Sequence, residues 1–308
     1  MRQLIDRLRP PLAAIGFPLA LPSPPTLREF NALDSWRQRP APLGRLDTLD
    51  VVLAERPKDI RGAQKLRYRV FYEEMAAIAD TRTRLARRDI DPFDAICDHL
   101  LVRDREAVRL GAGLKPKIVG TYRLLRQSVA ARHGGFYSAG EFEIDALTSR
   151  HRHLSFLELG RSCVLAPYRN KRTAELLWHG VWSYVLQHRA DVMFGCASLE
   201  GTEPGRLALP LSYLHHFARA PAPWRTQALP HRAVEMNLMP KDAVDAKAAL
   251  RALPPLIKGY LRLGAVVGDG AVIDHQFGTI DVLMILPVSA ISARYIAHFG
   301  QNAERYAA

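Results

Sequence analysis

Glu158, Gly160 and Arg161 stand within one mostly apolar run, Phe156-Leu157-Glu158-Leu159-Gly160-Arg161-Ser162-Cys163-Val164. A basic loop follows, Pro167-Tyr168-Arg169-Asn170-Lys171-Arg172-Thr173. A strand that feeds a helix through such a loop presents unpaired N–H groups and positive potential at the helix N-terminus, which suits a phosphate. Arg169, Lys171 and Arg172 add full charges there. A glycine inside a strand predicts a bulge at Gly160, where backbone groups leave the ladder. An N–H released in this way beside a thioester is what an oxyanion needs. An ordinary strand–loop–helix with a solvated basic face has the same pattern.

The elements that must position these residues follow from periodicity. Asp50 to Leu53 predicts a first strand. Lys58 to Ala77 predicts a helix, because Ile60, Ala63, Leu66, Val70 and Phe71 recur near helical spacing. Thr81 to Arg88 is polar and basic and reads as a loop. Strands are expected at Asp98 to Val102, Ile118 to Leu125, Glu141 to Ile144 and Phe156 to Val164. A helix from Thr173 to Arg189, a buried strand from Asp191 to Leu199 and a helix from Leu207 to Arg219 come next. The stretch from Lys241 onward alternates helical and strand patterns and completes the same sheet. Adjacent strands followed by helix and strand argue for a mixed sheet flanked by helices.

Residues 1–45 hold eight of the 21 prolines and read as an irregular extension. Arg2, Arg7 and Arg9 before an apolar run loosely imitate a signal peptide, but Pro10, Pro11, Pro18 and Pro22 break the run, so no cleaved signal is expected. No stretch reaches the roughly 18–20 apolar residues of a membrane-spanning helix. Cys97, Cys163 and Cys196 are scattered, which predicts no disulfide framework and a cytoplasmic setting. The net charge of +12, from 43 basic and 31 acidic residues, favours anionic partners: nucleic acid, anionic lipid or an acidic carrier protein. Aromatics are not interleaved with the basic patch and no reading helix is evident, so nucleic acid is not expected. His215-His216 and His151-x-His153 lack further ligands at metal spacing, and no metal is expected. Ser162 and Cys163 have no implied histidine partner for nucleophilic catalysis.

The strand and basic loop resemble the GNAT superfamily of N-acyltransferases, in which a bulged strand pairs with the pantetheine arm and the next loop holds phosphate. The family loop is Arg/Gln-x-x-Gly-x-Gly/Ala; this chain has Arg169-Asn170-Lys171-Arg172-Thr173-Ala174, with Arg172 in place of the first glycine. Upstream, Arg67-Tyr68-Arg69-Val70-Phe71, Asp91-Pro92-Phe93-Asp94 and Gly120-Thr121-Tyr122-Arg123-Leu124-Leu125 resemble elements of the acyl-homoserine-lactone synthases, a GNAT branch using acyl carrier protein. The tryptophan expected after the first of these is missing. Over roughly residues 50–300 the chain is similar to the ornithine N-acyltransferases of ornithine-lipid synthesis. That likeness is carried by Arg67 to Met75, Leu157 to Val164, Leu177-Trp178-x-Gly180, Phe194 to Ser198 with Gly201-Thr202, Leu214-His215-His216, Leu256 to Gly264 and Phe277-Gly278-Thr279-x-Asp281-Val282.

The resemblance implies an α/β fold with a GNAT-like mixed, mostly antiparallel central sheet flanked by helices. It implies one acyltransferase domain over residues 46–308, with a C-terminal elaboration. The implied reaction moves a 3-hydroxyacyl group from acyl carrier protein to the α-amine of ornithine, giving lyso-ornithine lipid with no further cofactor. A lactone synthase, another N-acyl amino acid synthase and a coenzyme A-dependent acetyltransferase are the alternatives. Peripheral contact with an anionic inner membrane is a further expectation. An amine must lose its proton to attack, and Glu158 is the first candidate base; a salt bridge to Arg161 or Arg123 is its other reading. Gly160 joins it as a catalytic candidate. Arginine suits the carboxylate of ornithine and aspartate its distal ammonium. Arg67, Phe71, Asp91, Asp94, Arg123 and Arg161 are the substrate-binding candidates, some of which could instead form a structural ion network. Val164, Arg169, Lys171, Arg172 and Thr173 are the candidates for the donor phosphopantetheine.

Overall fold

A computed structural model describes residues 42–75, 77–106, 109–110, 113–114 and 116–300. The strands are β1 (Gly44–Leu46), β2 (Leu49–Leu53), β3 (Asp98–Asp104), β4 (Arg109–Leu110), β5 (Gly113–Leu114), β6 (Lys117–Arg126), β7 (Phe156–Val164), β8 (Val192–Glu200), β9 (Ala233–Val234), β10 (Val266–Val267), β11 (Ala271–Asp274) and β12 (Thr279–Pro287). Among the described residues ten of them form one sheet, in the order β1-β2-β3-β6-β7-β8-β12-β11-β9 with β10 beside β12, while β4 and β5 pair with each other. Within that sheet the pairs run antiparallel except β7 with β8. The sheet is therefore mixed and mostly antiparallel, as expected.

The helices are α1 (Pro57–Tyr68), α2 (Thr81–Ala86), α3 (Gln127–Ala130), α4 (Ile144–Arg150), α5 (Lys171–His188), α6 (Ala208–Phe217), α7 (Ala246–Ala252), α8 (Pro255–Leu263) and α9 (Ala293–Gly300). Alternation in the central strands sends side chains to both faces. Leu157, Leu159 and Met193 join the core beneath α1 and α5, built with Leu66, Leu176 and Val181. Phe156, Val192 and Phe194 join a second core with Phe136, Ile144 and Leu147. Burial on both faces explains why β7 and β8 are nearly continuous apolar runs.

β7 and β8 stay paired only from Phe156–Glu158 against Val192–Phe194. At the next position a Cβ on Gly195 would lie 2.1 Å from the Leu159 carbonyl oxygen, so only glycine allows the two backbones this approach where they part. Beyond it Leu159–Val164 and Cys196–Ser198 line the two sides of a cavity of about 320 Å³.

Three expectations need correction. Thr81–Ala86 is helical rather than a loop, because Asp80 caps it by accepting a 2.6 Å hydrogen bond from Thr83 N. Glu141 to Ile144 is not a strand: Phe142 makes a single bridge to Ala228, and Ile144 already opens α4. The helix expected over Lys58 to Ala77 is α-helical only to Tyr68 and continues as a wider π turn over Arg69–Glu74, with Met75 N bonded to Val70 O. Of the extension expected over residues 1–45, residues 1–41 lie outside the described residues, and Gly44–Leu46 is strand. No helix among the described residues is long and apolar enough to cross a membrane.

Candidate active site

The β6–β7 ladder is interrupted one residue after Gly160, where the sequence predicts the bulge. Thr121 pairs with Cys163 and Arg123 with Gly160, so Arg161 and Ser162 together oppose Tyr122. That is a bulge on β7. Arg161 takes the left-handed conformation, φ 50°, which an L-residue holds only when its surroundings enforce it. Here the enforcement is visible. The Arg161 guanidinium is 2.8 Å from Asp91 and lies over the rings of Tyr137 and Phe277, at 5.1 and 4.7 Å. Its Nε, shielded from solvent, has no hydrogen-bond partner among the described residues and lies 3.4 Å from Asp89 Oδ2. Gly160 itself lies on the cavity wall, and a Cβ built there would meet no atom within 4 Å.

Beneath the cavity lies an ion network of three arginines and three aspartates. Arg67, with no solvent exposure, donates to Asp89 at 2.7 Å and to both oxygens of Asp94 at 2.8 and 2.7 Å. Arg123 reaches Asp91 at 3.0 Å and Asp94 at 3.3 Å, and Gln64 adds a hydrogen bond to Asp94. Burial pushes the Asp94 carboxyl up, but the hydrogen bonds and charge of Arg67 prevail and hold it well below the usual carboxylate range. Three positive and three negative groups balance here, so none of the aspartates is left to attract a further cation. Of the expected substrate-binding set, Phe71, Arg123 and Arg161 line the cavity; Arg67, Asp91 and Asp94 do not.

Glu158 lines the cavity and is buried, but forms no salt bridge with Arg161 or Arg123. Tyr137 N and Ser138 N donate to its two oxygens at 2.8 and 2.7 Å, and Ser138 Oγ donates at 2.5 Å. A carboxylate offers about four acceptor positions, so about one remains. Burial raises its pKa, and the hydrogen bonds from Ser138 and Tyr137 offset this only in part.

Of the residues expected at the donor phosphopantetheine, Val164 and Arg169 line the cavity. Arg169 donates to Val164 O at 2.9 Å and forms an ion pair with Glu74, Arg172 pairs with Asp47 at 2.7 Å, and Lys171 is 3.6 Å from Glu175. Thr173 is buried, its N–H donated to the cap Asn170. These charges crowd the N-terminus of α5 but are paired on the surface, where such pairs are weak and exchangeable.

A second acidic group was not singled out by the sequence reading. Glu141, Asp274 and Asp281 bring carboxylate oxygens within 4.8 Å of one another, and Asp274 and Asp281 line the cavity. Burial, followed by the charge of Asp281, raises the Glu141 pKa; burial also raises that of Asp281. The Thr279-x-Asp281 stretch carried part of the signal, but nothing in the sequence brings Glu141 to it. Cys196 links the two halves of the cavity, its Sγ 3.4 Å from Ser138 Oγ and 3.2 Å from Glu141 Oε2.

A bulged strand, a splayed neighbour and a cavity between them are the arrangement expected from the resemblance to GNAT-type N-acyltransferases. Residues 66–179 match the family described as acetyltransferase (GNAT) domain. The L-ornithine N(alpha)-acyltransferase of Brucella abortus (strain 2308) is 53% identical over 264 residues, covering 86% of this chain and 93% of that protein. The same-named protein of Rhizobium meliloti (strain 1021) is 54% identical over 264 residues, covering 86% and 88%. Among solved structures, FeeM, an N-acyl amino acid synthase from uncultured soil microbes, covers 83% of this chain and 99% of its own with 11% identity and a TM-score of 0.47. The chain belongs to the L-ornithine N(alpha)-acyltransferase family.

Proposed function

We propose that the chain transfers a 3-hydroxyacyl group from acyl carrier protein to the α-amine of ornithine, giving lyso-ornithine lipid. The observation that carries this is the bulged, splayed β7 bordering a cavity that holds Glu158, Arg123 and Arg161, in a chain more than half identical to proteins of that name. In this reading the thioester arm lies along β7 beyond Leu159, with its phosphate met by Arg169, Lys171, Arg172 and the start of α5 near Thr173. Val164 lines the arm. Phe71 packs on the substrate, and Arg123 and Arg161 face the carboxylate of ornithine, while Arg67, Asp91 and Asp94 hold those two arginines in place.

Glu158 takes a proton from the α-ammonium, directly or through one water, at its remaining acceptor position. The freed amine attacks the thioester carbonyl carbon. An N–C bond forms and negative charge moves to the carbonyl oxygen, which the N–H groups released at the Arg161–Ser162 bulge stabilise. Gly160 leaves room beside them. Collapse breaks the C–S bond, and the second amine proton ends on the departing thiolate. Arg169 on the cavity wall and a basic α5 N-terminus, with net charge +12, favour an acidic carrier protein as donor.

Expression in a bacterial host that makes no ornithine lipid, followed by mass spectrometry of extracted lipids, tests the reading. A new N-acylated ornithine bearing a 3-hydroxyacyl chain is the expected product. Acylated homoserine lactone, or no new lipid beside well-folded protein, would contradict it.

A further inference from the structure

Building on the ornithine reading, we infer that Glu141, Asp274 and Asp281 form the subsite for the acceptor's distal ammonium and so select a dibasic amino acid over a neutral one. The two acidic groups near the cavity are not equivalent. Asp89, Asp91 and Asp94 are matched by Arg67, Arg123 and Arg161. Among the described residues, Glu141, Asp274 and Asp281 have one ion-pair partner, Arg232, 3.5 Å from Glu141 and itself partly exposed. Hydroxyls serve Asp281 instead: Thr279 Oγ1 at 2.9 Å, and Ser198. Two of the three carboxylates are more than nine-tenths buried, with like charges as neighbours. Such a group, only partly matched by Arg232, is favoured by the entry of a further cation.

The same cavity carries a cation on its wall. The buried Nε of Arg161 has no hydrogen-bond partner among the described residues, although Asp89 lies 3.4 Å away. Arg161 and the carboxylates of Asp274 and Asp281 line one space. A molecule carrying a carboxylate and a remote ammonium meets both. The placement also agrees with the chemistry, since Ser138 Oγ and Cys196 Sγ join Glu158 to Glu141 in one hydrogen-bonded chain. An acceptor whose α-amine faces Glu158 thus has the acidic group within reach of a short side chain. Arg161 is close enough for its charge to act on Asp281.

The test compares ornithine with norvaline, which has the same carbon chain without the terminal amine, in the wild type and in Asp281→Asn, Glu141→Gln and Asp274→Asn. Wild type should prefer ornithine by roughly 10²-fold or more in kcat/KM, because norvaline leaves buried charges unmatched. Each variant should lower that preference by about tenfold, chiefly through the ornithine KM, as expected for loss of a charge-assisted contact. The melting temperature of ligand-free Asp281→Asn and Glu141→Gln should stay level or rise, because buried like charge is removed. A preference that survives while both acceptors slow in parallel would overturn the inference. So would activity that is abolished by a chelator and restored by a divalent cation, which would give the three carboxylates to a metal. If wild type acylates neither acceptor, the ornithine reading itself fails. Calorimetric titration of ornithine then decides the subsite: equal binding to wild type and Asp281→Asn would sink it, weaker binding to the variant would uphold it.

Discussion

Glu158→Gln keeps the shape of the side chain and one acceptor oxygen but cannot take the ammonium proton. The expected outcome is a fall in kcat of about 10²–10⁴-fold with donor binding intact. Because burial raises the Glu158 pKa, the acid limb of the wild-type pH–rate profile should lie above the ordinary carboxylate range and vanish in the variant. A near-normal kcat with a much higher ornithine KM would recast Glu158 as an amine-binding group. At this scale the sequence was informative for Glu158, Gly160 and Arg161, which share one strand and one periodicity. It placed the bulge one residue early, because a glycine marks where a ladder weakens and not which neighbour leaves it. It could not show that Asp91 and Asp94 are consumed by Arg67 and Arg123, nor that Glu141 meets Asp281. Those pairings join side chains far apart in the chain, and nothing local encodes them.

Elements were legible where periodicity was long. β3, β6, β7, α5 and β8 fall where expected, whereas α2 was hidden by its polar composition and the start of α4 by the alternation of Phe142 and Ile144. What fixes α1 against the 89–94 segment is the ion network, and this is the element-scale prediction. Arg67→Met should destabilise the fold by about 3–5 kcal/mol, because it leaves Asp89 and Asp94 buried without their main cation. Chemical denaturation of the two proteins measures it. The pH dependence has a definite sign. Asp94 has a lowered folded-state pKa, so its contribution is present above the unfolded carboxylate pKa and is lost as pH falls through the folded value. Stability from this network should therefore hold down to about pH 4 and decline only in stronger acid. A loss near pH 6, or an Arg67→Met protein as stable as wild type, would show that the network does not hold α1.

For the whole molecule, the proposed reading assigns the excess of positive charge, the basic start of α5 and Arg169 on the cavity wall to an acidic donor protein. Surface ion pairs of Arg169 with Glu74 and Arg172 with Asp47 contribute ~1 kcal/mol or less each, so in the proposed reading a carrier protein would displace them on docking. The measurement that bears most directly on the account is acyl transfer by the purified protein, supplied with ornithine and either 3-hydroxyacyl carrier protein or acetyl-coenzyme A, with products identified by mass spectrometry. The account predicts Nα-(3-hydroxyacyl)ornithine from the carrier thioester, at a rate that falls steeply with salt, and little acetyl transfer. Robust acetylation from coenzyme A with no product from the carrier thioester would contradict it.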